Sequence, residues 1–219
     1  DVMIKFGFND CRSVWNPSPG AKISVEDCPS EAPEKNKSAT RFREICGVLR
    51  WLEQCTRPDI STTLSELCKV QINPGEVHMK ALKHLLRYVS TTRDRGILFG
   101  RPEKGDHPYA ALNGYTDSDW AGDSDTRYSR GGFVYMSWQA PVSWSSFKMK
   151  AAAASSAESE YMAMAMATRE AIWLTSLYRS MGYGDLKATT FGDLCDEDYK
   201  RDAIFQDNRS VRDGNDVPR

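Results

Sequence analysis

The sequence predicts an α+β protein with a helical N-terminal half and a C-terminal half built from a mixed sheet and one long packed helix. Three observations support this fold class. From residue 39 to residue 89, apolar residues recur at spacings of three and four. After Gly105 the apolar spacing shifts towards two, which is typical of strands. A long apolar segment ending at Gly182 then returns to the helical period.

The composition is that of a globular protein. The 219 residues include 29 Lys+Arg and 30 Asp+Glu, and 40% are hydrophobic, which excludes a disordered chain, a collagen and a histone-like basic binder. No window of 18 residues is continuously apolar, so we expect a soluble protein without a membrane partner. The six cysteines form no C-x-x-C pair and the three histidines have no zinc spacing, which favours free thiols in a reducing compartment. The chain begins at Asp1 without a Met or a signal-like segment, as a piece of a longer protein does.

The first 105 residues divide into a Pro-rich segment and a helical region. Residues 16–40 contain five Pro and Gly residues among polar ones and predict an exposed loop. Pro58 ends the first predicted helix, Asp59 can cap the second, and Pro74 separates the second from the third. The three predicted helices cover residues 39–52, 60–70 and 75–89.

The remaining residues predict a sheet and its helix. A helix should start at Ser155 or Ser156, both good N-caps, and stop at Gly182. Because its first half is apolar nearly all round, we expect it to pack on the sheet rather than to be displayed. The predicted strands cover residues 109–117, 131–138, 142–149 and 203–206. The first three should form an antiparallel meander, and the fourth should run parallel to the first after the helical crossover.

Charge divides near the same point. Residues 1–107 carry 17 basic and 14 acidic side chains, whereas residues 108–219 carry 12 and 16. Residues 41–101 alone carry 11 basic and 6 acidic side chains. A basic helical half followed by an acidic β-rich half is typical of a polyanion-holding module joined to a cation-binding one, or of two ordinary solvated surfaces.

Carboxylates stand at the ends of three separate predicted elements. Asp117 lies near the end of the first strand, Glu160 in the first turns of the long helix, and Asp207 at the end of the fourth strand. Asp119 shares a strand face with Asp117, whereas Ser118 points to the other face. Oxygen-only ligands suit two Mg²⁺ or Mn²⁺ ions, which can drive phosphodiester cleavage. The alternative is that these acids are only a helix-dipole partner and turn formers.

Three motifs carry a family resemblance. The segments 114–123 (GYTDSDWAGD), 155–163 (SSAESEYMA) and 207–210 (DNRS) resemble the ribonuclease H domain of copia-type LTR retrotransposon Pol polyproteins. Upstream, the segments 56–60 (TRPDI) and 85–88 (LLRY), with Pro74 and His78 between them, resemble the stretch that links reverse transcriptase to ribonuclease H in those polyproteins. Residues 6–17, with Phe6-Gly7-Phe8, Asp10-Cys11 and Pro17, resemble the tail of the polymerase region.

The resemblance implies a ribonuclease H-like mixed sheet and a nuclease that cuts the RNA strand of RNA–DNA hybrids with two Mg²⁺ (or Mn²⁺) ions. Asp117 matches the acid that bridges both ions, Glu160 the acid on the leaving-group side, and Asp207 the acid beside the ion that activates water. Expected nucleic-acid contacts are Ser155, Ser156, Asn208, Lys148 and Lys150, and in the helical half Arg57, Lys80, Lys83 and Arg87.

The resemblance also implies an organisation and a setting. Residues 1–38 would be the polymerase tail and linker, 39–105 the helical connection region, and 106–219 a ribonuclease H-like domain incomplete at its C-terminus. The partners would be an RNA–DNA hybrid and the upstream reverse transcriptase domain of the same polyprotein. The location would be the cytoplasm, in a virus-like particle, or the nucleus.

Two departures from the family pattern keep alternatives open. The sequence has no counterpart of the family's later His-containing stretch and fourth acid, and the interval between Glu160 and Asp207 is longer than usual. Asp193 therefore rivals Asp207 as the third acid, although Asp207 is favoured by the Asn208 that follows it. The alternative functions are a catalytically inactive relic that at most binds nucleic acid, and a plain α+β interaction domain.

Overall fold

The computed structural model describes residues 5–8, 11–99, 112–123, 125–138, 140–183, 189–190 and 205–206. The chain forms two compact units, Asp1–Ile97 and Leu98–Arg219, called here the helical unit and the sheet unit. The predicted boundary between residues 105 and 106 lies outside the described residues. In these described ranges, no helix combines the length and the apolar character needed to span a membrane.

Three helices surround the core of the described part of the helical unit: α1 (Lys37–Cys55), α2 (Ser61–Lys69) and α3 (Glu76–Thr91). They confirm the three helices predicted from the apolar period. The apolar stripe of each helix faces one shared core, whose fully buried members include Phe42, Leu49, Leu64, Leu67, Leu82, Leu85 and Leu86. Short 3₁₀ turns cover Val25–Asp27, Pro33–Lys35 and Pro58–Ile60.

The Pro-rich segment is mostly exposed, as predicted, but side chains tie it to the helices. Asn36 caps α1, and its side-chain amide donates to Asn73 Oδ1 at 2.7 Å. Asn73 in turn donates to the carbonyl of Pro29 at 2.9 Å. The fully buried His78 of α3 contacts the Ser24 carbonyl through Nε2 at 2.8 Å. These polar ties give the loop a defined path that its composition alone does not predict.

The sheet unit contains β1 (Leu112–Asp119), β2 (Arg130–Ser137), β3 (Ala140–Lys148), α4 (Ser156–Ser180), β4 (Thr189–Thr190) and β5 (Phe205–Gln206). Antiparallel pairing of β1 with β2 and of β2 with β3 confirms the predicted meander. Both β4 and β5 pair with β1 in parallel, which confirms the predicted direction of the last strand. The sequence did not predict the two-residue β4, because so short a strand has no apolar period to detect.

α4 packs on the sheet by one face only. That face carries Ala163, Ala167, Ala171, Leu174 and Tyr178, all buried, and most of it shares a core with Leu112 and Tyr135. The prediction that this helix packs on the sheet is therefore confirmed, although the sheet covers only one of its faces. Its opposite side leaves several large apolar side chains exposed, among them Tyr161, Ile172, Trp173 and Leu177.

Small residues on the packed face of α4 bring the helix close to the sheet. The Tyr135 hydroxyl on β2 donates to the carbonyl of Ala167 at 2.8 Å. Burial raises the pKa of Tyr135, with a further contribution from the charge of Glu170. The hydroxyl therefore stays a donor, and it fixes the depth at which α4 lies on the sheet.

Candidate active site

The end of β1 presents its acids on the face away from α4. Burial alternates along the strand: Leu112 and Thr116 are buried, whereas Asp117 and Asp119 are exposed. Leu112 packs against α4, so the alternate residues Asp117 and Asp119 belong to the opposite face. The alternation confirms that the two acids share a face and that Ser118 lies on the other one.

The start of α4 holds its two acids in different environments. Ser155 is the N-cap, and its hydroxyl accepts from the Glu158 backbone at 3.1 Å. Glu158 is exposed, and its carboxylate accepts from the Ala154 backbone at 2.6 Å. Glu160 is fully buried, on the side of the helix that meets the sheet. Glu158 is thus part of the cap, whereas Glu160 is a fully buried carboxylate, which is uncommon for this residue type.

Two hydrogen bonds join the end of β1 to the start of α4. The Ser118 and Ser159 hydroxyls lie 2.8 Å apart, and Ser159 is fully buried. The Trp120 indole donates to the carbonyl of Ala153 at 3.1 Å. Sequence reasoning missed these linking residues, although each serine is a direct neighbour of a predicted catalytic acid. Asp117 is thus next in sequence to Ser118, and Glu160 is next to Ser159, the two residues whose hydroxyls are in contact.

The third acid was predicted at Asp207, with Asp193 as its rival, and both lie outside the described residues, as does Asn208. The strands β4 and β5, which precede Asp193 and Asp207 in the chain, both pair with the edge of β1 that does not pair with β2. In β4, Thr190 pairs with Gly114, whereas in β5, Gln206 pairs with Thr116. Gln206 therefore marks the register position directly before Asp117, and Asp207 is the next residue in the sequence.

No group of three or more His, Cys, Asp or Glu side chains that could hold a metal is present within the part of the chain that the structure describes. Two members of the predicted set, Asp117 and Glu160, are described. Both lie at the same end of the sheet unit, but Asp117 is on the face of β1 away from α4, whereas Glu160 is on the side of α4 that meets the sheet. Their oxygen donors fit a hard divalent cation.

Asp123, four residues after the end of β1, has a structural role. Its buried carboxylate accepts from the Thr126 backbone at 3.0 Å and from the Thr126 hydroxyl at 2.9 Å. Lys148, predicted to contact nucleic acid, lies 3.5 Å from Asp123 and stacks over the Tyr128 ring at 5.1 Å. These contacts order the connection between β1 and β2. Lys148 still keeps part of its side chain exposed, with a relative accessibility of 31%.

The other predicted nucleic-acid contacts differ in accessibility. Lys150 and Arg87 are exposed, and Ser155 and Ser156 are half-buried at the start of α4. In the helical unit Lys80 and Lys83 are also exposed. Each of these side chains can reach solvent, which a phosphate contact requires.

Arg57, by contrast, is buried in the helical unit. Its guanidinium makes two hydrogen bonds to Asp59, at 2.9 and 2.8 Å, and others to the carbonyl and hydroxyl of Thr92, at 3.1 and 2.6 Å. Tyr88 donates to the same carboxylate at 2.6 Å. All three guanidinium nitrogens are used inside the fold, so the prediction that Arg57 contacts phosphate is wrong.

Sequence comparison shows similarity to proteins of transposable elements. The chain is 34% identical over 183 residues to the retrovirus-related Pol polyprotein from transposon TNT 1-94 of Nicotiana tabacum, covering 83% of the chain and 13% of that protein. The Pol polyprotein from transposon RE1 of Arabidopsis thaliana matches at 34% identity over 183 residues, covering 83% of the chain and 12% of that protein. The chain thus spans about an eighth of the length of these curated relatives.

A smaller relative matches over almost its entire length. The secreted RxLR effector protein 161 of Plasmopara viticola is 40% identical over 134 residues, covering 61% of the chain and 91% of that protein. No family model and no solved structure matches the chain.

The match to the Pol polyproteins covers most of the chain, in agreement with the motifs at the end of β1 and the start of α4. Over most of its length the chain is therefore homologous to a segment of the retrovirus-related Pol polyproteins from copia-type transposons.

Proposed function

We propose that the sheet unit is a ribonuclease H-like domain that hydrolyses the RNA strand of RNA–DNA hybrids during reverse transcription. One arrangement carries the proposal. The end of β1, which holds Asp117, is joined through Ser118 and Ser159 to the turn of α4 that holds Glu160. The same strand pairs in parallel with β5, whose last residue, Gln206, precedes Asp207. Strand, helix and strand meet at one end of the unit.

In this proposal Asp117, Glu160 and Asp207 hold two Mg²⁺ or Mn²⁺ ions. When bound, such ions supply the activated water and neutralise the charge on the leaving oxygen. Asp117 is exposed at the end of β1 on the face away from α4, so its carboxylate would share an ion with Glu160 only around the end of the strand. Glu160 is held by its burial and by the adjacent Ser159 contact, so its carboxylate is pre-positioned rather than mobile.

Substrate binding would fall to the polar groups around this end of the unit. The exposed Lys150 follows β3 and can pair with a phosphate, as can the exposed part of Lys148. Ser156 and Asn208 are candidates for contacts to the sugar, where a 2′-hydroxyl distinguishes RNA from DNA. The upstream reverse transcriptase region of a longer polyprotein would be the natural covalent partner.

The test is cleavage of a hybrid labelled on its RNA strand, with an RNA–RNA duplex as the substrate control. In Mg²⁺ or Mn²⁺, the wild type should cut the RNA of the hybrid only, and Asp117→Asn and Glu160→Gln should abolish cutting. Glu158→Gln is the matched control, because it makes the same change one half-turn away at a residue of the cap, and it should remain active.

A catalytically inactive relic is the second candidate, favoured by the position of Asp117 on the face of β1 away from α4, whereas Glu160 lies on the side of α4 that meets the sheet. If the folded wild type cuts no hybrid with either metal, the nuclease proposal fails for this chain and the relic stands. If Glu160→Gln cuts as fast as Glu158→Gln, the assignment of Glu160 fails even where cutting is seen.

A further inference from the structure

The helical unit carries a basic surface that the proposed nuclease does not use. On α3, Lys80, Lys83 and Arg87 follow one another at helical spacings of three and four and are all exposed. At 1.5 Å of rise per residue they form a line of roughly 10 Å. Lys80 lies 4.0 Å from the highly exposed Glu76, a weak pair, and no carboxylate in the described part of the chain pairs with Lys83 or Arg87. These three residues are called the basic stripe.

An N-terminal segment, residues 11–20, runs along the same side of α3 and is called the strap. The Val14 backbone donates to the Thr91 hydroxyl at 2.9 Å, and His84 Nε2 contacts the Asn16 carbonyl at 2.9 Å. Thr91 and His84 lie four residues after and three residues before Arg87, so all three share one face of the helix. The strap residue between the two tethers, Trp15, therefore passes alongside the part of the helix that carries Arg87.

Trp15 is the most unusual side chain of this surface. It is 69% exposed, although its neighbours Val14 and Asn16 hold its backbone in place. The Arg95 guanidinium carbon lies 6.0 Å from the centre of its ring, at the limit of a cation–π contact. A fixed backbone with an exposed indole beside arginines provides a flat surface on which a base can stack.

The charge of the strap and of α3 with its following turn is strongly positive. The acidic side chains in residues 11–20 and 76–95 are only Glu76 and Asp94. The basic ones, all exposed, are Arg12, Lys80, Lys83, Arg87, Arg93 and Arg95. A positive track with an exposed aromatic ring is the combination that binds single-stranded nucleic acid, because phosphates follow the charges and a base stacks on the ring.

We propose that the strap and the basic stripe form a binding surface for single-stranded nucleic acid, with Trp15 stacking on a base and Lys80, Lys83 and Arg87 contacting phosphates. Binding at this surface needs no divalent metal and none of the acids of the sheet unit. It is therefore independent of the nuclease proposal, and either can fail without the other.

The test is fluorescence anisotropy of a labelled oligo(dT) of about 15 nucleotides, titrated with the full chain in EDTA at several salt concentrations. Trp15→Ala should weaken binding about tenfold, Trp15→Phe should keep most of it, and Trp51→Ala, which removes the 70% exposed indole of α1, should leave it unchanged. The oligonucleotide should quench intrinsic tryptophan fluorescence in the wild type, and this quenching should be reduced in Trp15→Phe.

A charge-matched pair of double variants separates this surface from general electrostatics. Lys83→Glu with Arg87→Glu should weaken binding at least tenfold and flatten the dependence of affinity on salt by about 1.4 in log–log slope. Arg41→Glu with Arg43→Glu makes the same change of charge at two exposed residues of α1 and should weaken binding far less.

Three results would overturn the proposal. The first is an equal loss of affinity in the two double variants, and the second is full binding by Trp15→Ala. The third is a wild type that fails to bind the oligonucleotide at low salt but binds vesicles of phosphatidylserine, which would make the surface a membrane contact. Circular dichroism confirms that each variant is folded before its affinity is compared.

Discussion

Ser118 and Ser159 share a 2.8 Å hydrogen bond between the end of β1 and the start of α4, and each directly adjoins an acid proposed to hold metal. Ser159 also donates to the carbonyl of Ser156 at 2.7 Å, so Ser118 is the group that must donate to Ser159. The pair therefore acts as a directed chain of hydrogen bonds from the strand into the first turn of the helix.

Ser159→Ala should lower the free energy of unfolding by about 1–2 kcal/mol, because it removes both of these hydrogen bonds at a fully buried position. Urea unfolding measures the loss. Ser176→Ala is the matched control on the same helix, because the exposed Ser176 bonds only its own helix, to the Ile172 carbonyl, and it should change stability by less than about 0.5 kcal/mol. Equal effects of the two variants would show that the contact with Ser118 contributes nothing.

The ion pair of Arg57 with Asp59 should make the helical unit sensitive to acid. Burial alone would raise the pKa of Asp59, but hydrogen bonds from Arg57 and Tyr88 and the charge of Arg57 outweigh it and lower the pKa. A carboxyl with a lowered folded pKa stabilises the fold above its unfolded pKa, and this stabilisation is lost as the pH falls through the folded pKa.

Asp59→Asn should therefore destabilise the helical unit by roughly 2 kcal/mol at neutral pH and should flatten the decline of its melting temperature below about pH 4. Thermal unfolding across this pH range measures both effects. Asp94→Asn, at an exposed carboxyl of the same unit, should leave the decline of the melting temperature at acid pH unchanged. If the melting temperature of Asp59→Asn falls at acid pH as steeply as that of the wild type, the ion pair is not the source of the acid sensitivity.

Cys68 should be the reactive thiol of the helical unit. A hydrogen bond from Cys46 lowers the pKa of Cys68 to about 7, against the opposing effect of burial and with help from the charge of Arg50. The same hydrogen bond, together with burial, raises the pKa of Cys46, which stays a thiol. All five described cysteines are free, as the sequence predicted, and Cys195 lies outside the described residues.

Alkylation of Cys68 by iodoacetamide should rise with pH to a half-maximum near 7, and Cys46→Ala should move that midpoint upwards. Peptide mapping by mass spectrometry follows each cysteine separately. The exposed Cys55 monitors the reagent in the same sample. A Cys68 midpoint that does not move in Cys46→Ala would contradict the thiol pair.

Ala167→Leu should destabilise the sheet unit by about 1–3 kcal/mol, because the new side chain has no room between α4 and β2. Ala165→Leu makes the same change at an exposed position two residues away and should alter stability by less than about 0.5 kcal/mol. Urea unfolding of the two variants gives the comparison. A loss of similar size at both positions would mean that helix propensity, and not packing, sets the cost.

The helices and long strands could be predicted from the sequence because their apolar periods extend over many residues. The predicted second helix, 60–70, differs from α2 by one residue at each end. The first helix begins two residues before its prediction, because Asn36 supplies a cap that the apolar pattern does not reveal. Element ends depend on single side-chain contacts, which periodicity cannot report.

The candidate site could be predicted in part. Motif position identified Asp117 and Glu160, and the alternation of β1 correctly separated the face of Asp117 from that of Ser118. The sequence could not distinguish a surface cation from a buried one, so Arg57 and Arg87 received the same interpretation although only Arg87 reaches solvent. Burial depends on contacts between distant segments, as Arg57 with Thr92 shows.

The parallel pairing of β1 with β5 has a consequence for the order of folding. Tyr115 and Phe205 are register partners although they are separated by ninety positions in the chain, whereas the hairpins that pair β1, β2 and β3 close over short loops. Because closing a long loop costs entropy before any contact repays it, the meander can form early and the edge of β1 is completed late. A ribosome must therefore release nearly the whole sheet unit before the strand carrying Asp117 has both of its neighbours.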